Sequence, residues 1–415
     1  MSNNGKRIEI MAPAGNFECL MAAIQGGANS VYFGVENLNM RSHSANNFSS
    51  EDLPKIVEIC KAHKVRTYLT LNIAVFNEDL EKAYRTLDKA KEAGVTAVIA
   101  SDMSVILYAR SIEFEVHIST QLSISNSEAL RFYAQFADVI VLARELNMEQ
   151  VREISDIIER DQIKGPNGEL VQIEMFCHGA LCMAISGKCY LSLHEYGSSA
   201  NRGSCFQICR RGYEVTDLET GAQLHVDNKY IMSPKDLCTI EFIDKMIKAG
   251  VSVLKIEGRA RAAEYVKTVT SAYRRAVDAV EEGIFTPEFA AGLKEELATV
   301  FNRGFWDGYY QGARLGQWSE VYGSKATRQK TYIGKVTNYF SNIGVSEILV
   351  EAAPISVGDT LMIIGATTGV VELVIPEIRV ALKPADTCTQ GTYCSIPVAD
   401  RIRRGDKVYK ITVKE

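Results

Sequence analysis

Through the first 260 residues, short apolar runs alternate with longer segments whose apolar residues recur every three or four positions. The runs are IEIMA (8–12), SVYFG (30–34), RTYLTL (66–71), AVIAS (97–101), EVHIS (115–119), VIVLA (139–143), QIEMF (172–176) and SVLKIE (252–257). Their nearly continuous apolar character suits strands buried on both faces, as in a parallel sheet covered by helices. Segments such as FECLMAAIQGGA and LEKAYRTLDKAKEAG carry helical spacing and end on glycine, which a helix C-cap favours. Eight such units predict a closed (β/α)8 barrel of the TIM type and not an open doubly wound sheet. No GxGxxG follows the first strand, which argues against a dinucleotide site.

The regular beat breaks in two places. About 75 residues separate the seventh run from the eighth, and five of the ten cysteines fall between 177 and 211. Beyond residue 260, AAEYVKTVTSAYRRAVDAVEEG and TPEFAAGLKEELATVFN predict two long helices on the barrel's outside. From about residue 330 the chain turns to short strands punctuated by Gly, Asp and Pro, such as YIGKVTNYF and DTLMIIGA. The expected organisation is a barrel over 1–323 with a cysteine-rich insertion at 177–238, then a small antiparallel β-barrel over 324–415.

Composition adds that 47% hydrophobic and 23% charged residues describe a folding globular chain. There is no long apolar segment of a signal peptide or membrane span, so a cytoplasmic location is expected, where thiols stay reduced. The net charge of −5 hides an asymmetry: from Ser324 onward 12 Lys and Arg face nine Asp and Glu. This permits nucleic-acid binding without establishing it, since a run such as RIRRGDK (401–407) is ordinarily a solvated turn.

Cys182, Cys189, Cys205 and Cys209 follow the spacing C-x6-C-x15-C-x3-C in polar, Gly/Ser/Asn-rich sequence at the end of a barrel strand. Zinc favours two tight C-x2–4-C pairs, and only Cys205 and Cys209 come close. Four thiolates at irregular spacing suit a 4Fe–4S cluster at least as well. Spacing alone leaves both metals open.

Polar residues recur at the predicted strand ends, the catalytic face of a TIM barrel: Tyr32, Asn72, Asp102, Gln121, Arg144, His178, Glu257 and Arg259. Among them His178, Glu257, Arg259, Gln121 and Asn72 are the candidate catalytic groups. Arg202, Arg261, Tyr32 and Arg144 are candidates for substrate binding, the arginines as bidentate clamps for carboxylate or phosphate. Lys255 and Glu257, two apart on a strand, are expected to pair with each other. His178 is a candidate partner for metal-bound thiolates. A protease is poorly supported, because HExxH and GxSxG are absent and neighbouring Cys177 and His178 should point to opposite faces of a strand. RRGY (210–213) and TRQKTYIGK (327–335) offer cations and aromatics to an RNA.

APAGNFECLMAAIQGGANSVYFG, HGALCMAISGKCYLS, NRGSCFQICRRGY, MSPKDL and KIEGRARAAEYV, in this order, resemble the collagenase-like family, the thirty-second among peptidases of unassigned mechanism. The resemblance runs from about residue 7 to 312 and continues into the β-rich tail. It implies a 4Fe–4S cluster on Cys182, Cys189, Cys205 and Cys209. It also implies oxygen-independent hydroxylation, most like the branch that hydroxylates the tRNA wobble uridine with prephenate. Other branches act on a ribosomal RNA cytidine or the ubiquinone ring, and older descriptions attribute collagen degradation to some members. The partners expected are therefore tRNA or another RNA and an electron-transfer or family partner protein, with no membrane. A peptidase and a scaffold with a structural metal are the competing readings.

Overall fold

Eight parallel strands close on themselves in the computed structural model, which describes residues 7–42, 47–214, 216–221, 232–313, 316–321 and 323–414. Residues 215 and 222–231 of the cysteine-rich insertion lie outside the described residues. All eight apolar runs are strands: β1 (Glu9–Pro13), β2 (Ser30–Gly34), β3 (Arg66–Leu71), β4 (Ala97–Ala100), β5 (Glu115–Ile118), β6 (Val139–Val141), β7 (Gln172–Gly179) and, after a short β8 (Asp236–Cys238), β9 (Val251–Ile256). Each pairs in parallel with the next, and β9 bridges β7 and β1 to close the barrel. Two short strands went unforeseen. β8 runs antiparallel to the end of β7, with His178 opposite Cys238, and β10 (Phe305–Trp306) extends it. At three and two residues neither is long enough to show a period.

The covering helices α1 (Phe17–Gln25), α2 (Leu53–Ala62), α3 (Leu80–Ala93), α4 (Met103–Ser111), α5 (Ser127–Ala134) and α6 (Met148–Arg160) start and stop on local signals. Asn16, Asp102, Asn126 and Asn147 cap free N–H groups at four of the N-termini. Gly94 ends α3 in the left-handed conformation. A short α7 (Leu191–Tyr196) lies in the insertion and α8 (Ile243–Lys248) precedes β9. The two long helices predicted after the barrel are α9 (Ala263–Glu281) and α10 (Pro287–Ala298), the latter opened by a Thr286 cap and a proline in its first turn.

Alternation along the strands divides the apolar residues in two. One set packs between strands and helices; Met11, Tyr32, Tyr68, Ala97, Ile99, Val139 and Val253 form a separate layer in the barrel interior. The tail is an eight-stranded antiparallel sheet, including β11 (Arg328–Phe340) and β12 (Val345–Val350), wrapped around its own core. It is seated on α1 and α9. Gln25 donates to the Thr368 carbonyl at 2.8 Å and accepts from the Val370 N–H at 2.9 Å, and Lys267 donates to the Val370 carbonyl at 2.7 Å. Met362, Ile364 and Val370 of the tail belong to the barrel's own hydrophobic cluster. Among the described residues no helix is long and apolar enough to cross a membrane.

Candidate active site

The strands' C-terminal ends surround a cavity of about 150 Å³. Its walls include Tyr32 from β2, Thr70 and Asn72 from the end of β3, Gln121 after β5, Arg144 after β6, Phe176 of β7, and Lys255, Glu257 and Arg259 from β9 onward. Arg41, in the loop after β2, completes the ring. Six of the sequence candidates, Tyr32, Asn72, Gln121, Arg144, Glu257 and Arg259, thus meet in one place.

The cavity is electropositive. Arg259 donates to Asn39 Oδ1 and Thr70 Oγ1, both at 2.8 Å, and burial lowers its pKa to about 10. Arg144 lies 3.8 Å over the Phe176 ring and donates to the Ala180 carbonyl at 3.0 Å. Its Nε, like Gln121 Oε1, is buried without a protein partner. Arg41 reaches Glu257 Oε1 at 2.8 Å. Burial pushes the Glu257 carboxyl up, but Arg41, with Arg261 and Arg144 behind it, outweighs that and holds it below the ordinary value. Lys255, lowered by burial, is held by Glu174 at 2.6 Å. The expected Lys255–Glu257 pair therefore does not form: each takes a partner from a different element, and β9 ends at Ile256, before Glu257. Four cations face one carboxylate across this wall.

The fourth side of the cavity is sulfur. Cys182, Cys189, Cys205 and Cys209 all line it, and Cys209 lies within charge range of the other three, which add to burial in raising its thiol. Cys182 is exposed and the other three are partly exposed, whereas Cys19, Cys60, Cys177, Cys238, Cys388 and Cys394 are buried. Burial holds the Cys177 thiol far above its ordinary value, the condition of an inert packing group. Among the described residues no three Cys, His, Asp or Glu are gathered tightly enough to grip a single ion. All four thiols line the one cavity, as a larger object with a ligand on each corner requires, and Arg41 lies within charge range of Cys182 and Cys205.

With few regular elements, the insertion is held by side chains. Arg210 donates to Ser233 Oγ and to the carbonyls of Pro234 and Leu181. Arg202 pairs with Asp79 at 2.6 Å, donates to the Ala74 carbonyl and stacks on Phe76. Arg202 is thus a strut of the insertion and not the substrate clamp expected of it. Gly203 lets the chain pass close: its φ is +88°, and a Cβ there would stand 1.9 Å from Ser42 Oγ and 2.7 Å from the Asn39 carbonyl. Gly203→Ala is expected to cost about 1–3 kcal/mol and to lower the melting temperature more than Gly197→Ala, where φ is also positive but a Cβ meets open space.

Two further candidates sit elsewhere. His178 is buried among Tyr265, Tyr273 and Phe305, with Nδ1 3.4 Å from the Tyr273 hydroxyl. An irregularity in the β7–β9 pairing between Phe176 and His178 breaks the alternation and turns the ring toward α9 instead of the cavity. Burial and then Arg261 lower its pKa to about 3, so it is neutral at ordinary pH. Arg261 stacks on Phe301 at 3.7 Å and faces Asp236 at 4.0 Å, behind the cavity wall. Asp102 caps α4. Sequence reasoning missed Arg41 and Lys255 as cavity cations. Lys255 was readable from its place on β9, but nothing in MRSHS marks Arg41.

A closed parallel barrel with a charged cavity at the strands' C-terminal ends has the architecture of a barrel enzyme. Residues 15–320 match peptidase family U32, and the chain belongs to that family. It is 56% identical to a collagenase of Porphyromonas gingivalis strain W83 over 99% of this chain and 100% of that one. It is 36% identical to tRNA hydroxylation protein P1 of Bacillus subtilis over 81% and 80% of the two chains. It is 35% identical to the 23S rRNA 5-hydroxycytidine synthase of Escherichia coli over 76% of this chain and 47% of that one.

Proposed function

We propose that this chain is an oxygen-independent RNA hydroxylase that carries a 4Fe–4S cluster on Cys182, Cys189, Cys205 and Cys209 and acts on the tRNA wobble uridine. The observation that carries the reading is the cavity where four thiols face Arg41, Arg144, Lys255 and Arg259, with Glu257 as the opposing carboxylate. Two relatives named for RNA hydroxylation support it. When bound, the cluster supplies a centre that exchanges single electrons.

The chain's own residues do the binding. Arg144 and Arg259 present forked donors to a carboxylate-bearing hydroxyl donor such as prephenate. Asn39 and Thr70 fix the Arg259 fork. Tyr32, whose hydroxyl donates to the Ile256 carbonyl at 2.8 Å, walls the cavity with its ring and stays protonated because burial raises its phenol far above the ordinary value. Cations of the tail are partly spent on internal pairs, Arg328 with Glu372, Lys330 with Glu264 and Lys335 with Glu351.

The test is nucleoside mass spectrometry of tRNA and rRNA from a strain lacking this gene. Loss of 5-hydroxyuridine, restored by the wild type and not by Cys205→Ala, is the expected result. Loss of a ribosomal hydroxycytidine instead would move the target. A second reading, peptide-bond hydrolysis, is favoured by the name of the 56% identical relative. Intact RNA modification together with collagen cleavage by both wild type and Cys205→Ala would establish it in place of the first.

A further inference from the structure

Beneath the cavity the barrel interior is not wholly apolar. At the strand starts, Glu9 accepts from Ser30 Oγ at 2.6 Å and Tyr68 OH at 2.7 Å and pairs with Arg66, which also reaches Glu115, both at 3.1 Å. Glu115 Oε1 lies 3.1 Å from His117 Nε2. Across the barrel, His117 Nδ1 faces Glu174 Oε2 at 3.9 Å, and Glu174 Oε1 holds Lys255 Nζ at 2.6 Å. The side chains of His117 and Glu174 are fully buried, yet the two atoms facing each other across that gap have no hydrogen-bond partner. One end of the series is open to water, with Glu115 21% and Arg66 41% exposed; the other end, Lys255, lines the cavity.

A barrel interior is ordinarily filled by apolar layers, and burying ions costs several kcal/mol each. A file of ionisable groups from one mouth to the other, broken only at the 3.9 Å gap between His117 and Glu174, therefore points to use. We propose that Glu115, His117, Glu174 and Lys255 form a proton path that joins the cavity floor to solvent at the opposite mouth. Why such a path helps rests on the RNA reading, since a macromolecule seated over the cavity cuts it off from bulk water; the path itself rests on the distances. When Lys255 Nζ gives a proton to an oxygen base of the bound substrate, the Glu174 carboxylate beside it has none to return until one is delivered to it. A side-chain shift of about 1 Å brings His117 Nδ1 within hydrogen-bond reach of Glu174 Oε2; as Nδ1–H passes its proton to Oε2, Nε2 takes one that water delivers through Glu115, so the ring stays neutral. Rotation of the Glu174 carboxyl turns that proton toward the amine, which takes it and restores the ion pair, and exchange of the ring between its two tautomers resets the file. One proton enters for each that leaves, and no electrons move. The groups facing His117 are Tyr68 from β3, with its ring 4.5 Å away, Glu115 on β5 and Glu174 on β7, with Asp138 before β6 within charge range.

The test is competitive acylation of Lys255 with a small anhydride across pH, read by mass spectrometry on the full chain without RNA. If the groups are coupled, His117→Gln moves the Lys255 labelling midpoint to higher pH, because Glu174 then serves the amine alone. Glu174→Gln moves it to lower pH, because the amine loses its counter-ion. Glu115→Gln, at the open mouth where folding is least at risk, also moves it to lower pH by a smaller amount. A midpoint unchanged in His117→Gln and Glu115→Gln would overturn the path, leaving Lys255 and Glu174 an isolated pair. Because no RNA is present, this result and that of the nucleoside experiment fail independently.

Discussion

Cys205→Ala is expected to reduce the iron and sulfide of anaerobically purified protein from about four of each per chain to a trace, and to abolish RNA modification with it. The other variant that decides the point is Cys177→Ala. Both cysteines belong to one short stretch of sequence, but Cys205 is partly exposed at the cavity and Cys177 is buried, its thiol donating to the Lys255 carbonyl at 3.4 Å. Cys177→Ala should keep its iron and lose only packing and that weak thiol hydrogen bond, together about 1 kcal/mol given the small volume removed. Iron retained in Cys205→Ala, or zinc in the wild type, would remove the cluster from this site.

Arg41→Ala is expected to produce the largest loss of stability among the cavity variants, about 3 kcal/mol at neutral pH, because it leaves the Glu257 carboxylate buried and unpaired. The sign with pH follows from the direction of the shift. Glu257 is held below its ordinary value in the folded protein, so the pair's contribution is complete above the unfolded carboxylate pKa of about 4.3. It is lost as pH falls through the lower folded value. Without Arg41, the leading influence on the carboxyl becomes burial, which raises it and removes the contribution. The difference in melting temperature between wild type and Arg41→Ala should therefore be widest near pH 7, begin to shrink as pH falls through the raised carboxyl value of the variant, and go on shrinking down to the lowered value of the wild type. Adding Glu257→Gln should recover part of the loss, because an amide tolerates burial where a carboxylate does not, and the two changes should not add. A constant difference from pH 3.5 to 7.5, or strict additivity, would contradict the pairing.

The barrel was legible because each of its strands is a short, nearly unbroken apolar run set between amphipathic segments. The side chains that line the cavity could be read as far as strand ends go: Asn72, Gln121, Arg144, Glu257 and Arg259 follow from placing a polar residue where a strand stops, whereas Tyr32 reaches the cavity from the middle of β2. What could not be read depends on contacts between distant segments. Lys255 takes Glu174 on β7 instead of its near neighbour, a choice set by strand register. His178 turns out of the cavity because of one irregularity in pairing, which no periodicity announces. Arg41 and Arg202 are alike in sequence, each an arginine in a polar loop. One lines the cavity and the other braces the insertion, according to which acid, Glu257 or Asp79, the fold brings near. The cysteines divide likewise, since exposure separates the four at the cavity from six elsewhere and exposure is a property of the fold.

The seam beneath the tail bears on how this chain is built. Because Met362, Ile364 and Val370 complete the barrel's apolar cluster and Gln25 is stitched to the tail through both of its amide atoms, the tail is not a detachable appendage. Cutting the chain near residue 323 would strip α1 and α9 of their cover and present sticky surface to other molecules. The tail and the helices α1 and α9 share one apolar seam along that line, so a change of shape on either side calls for refitting on the other.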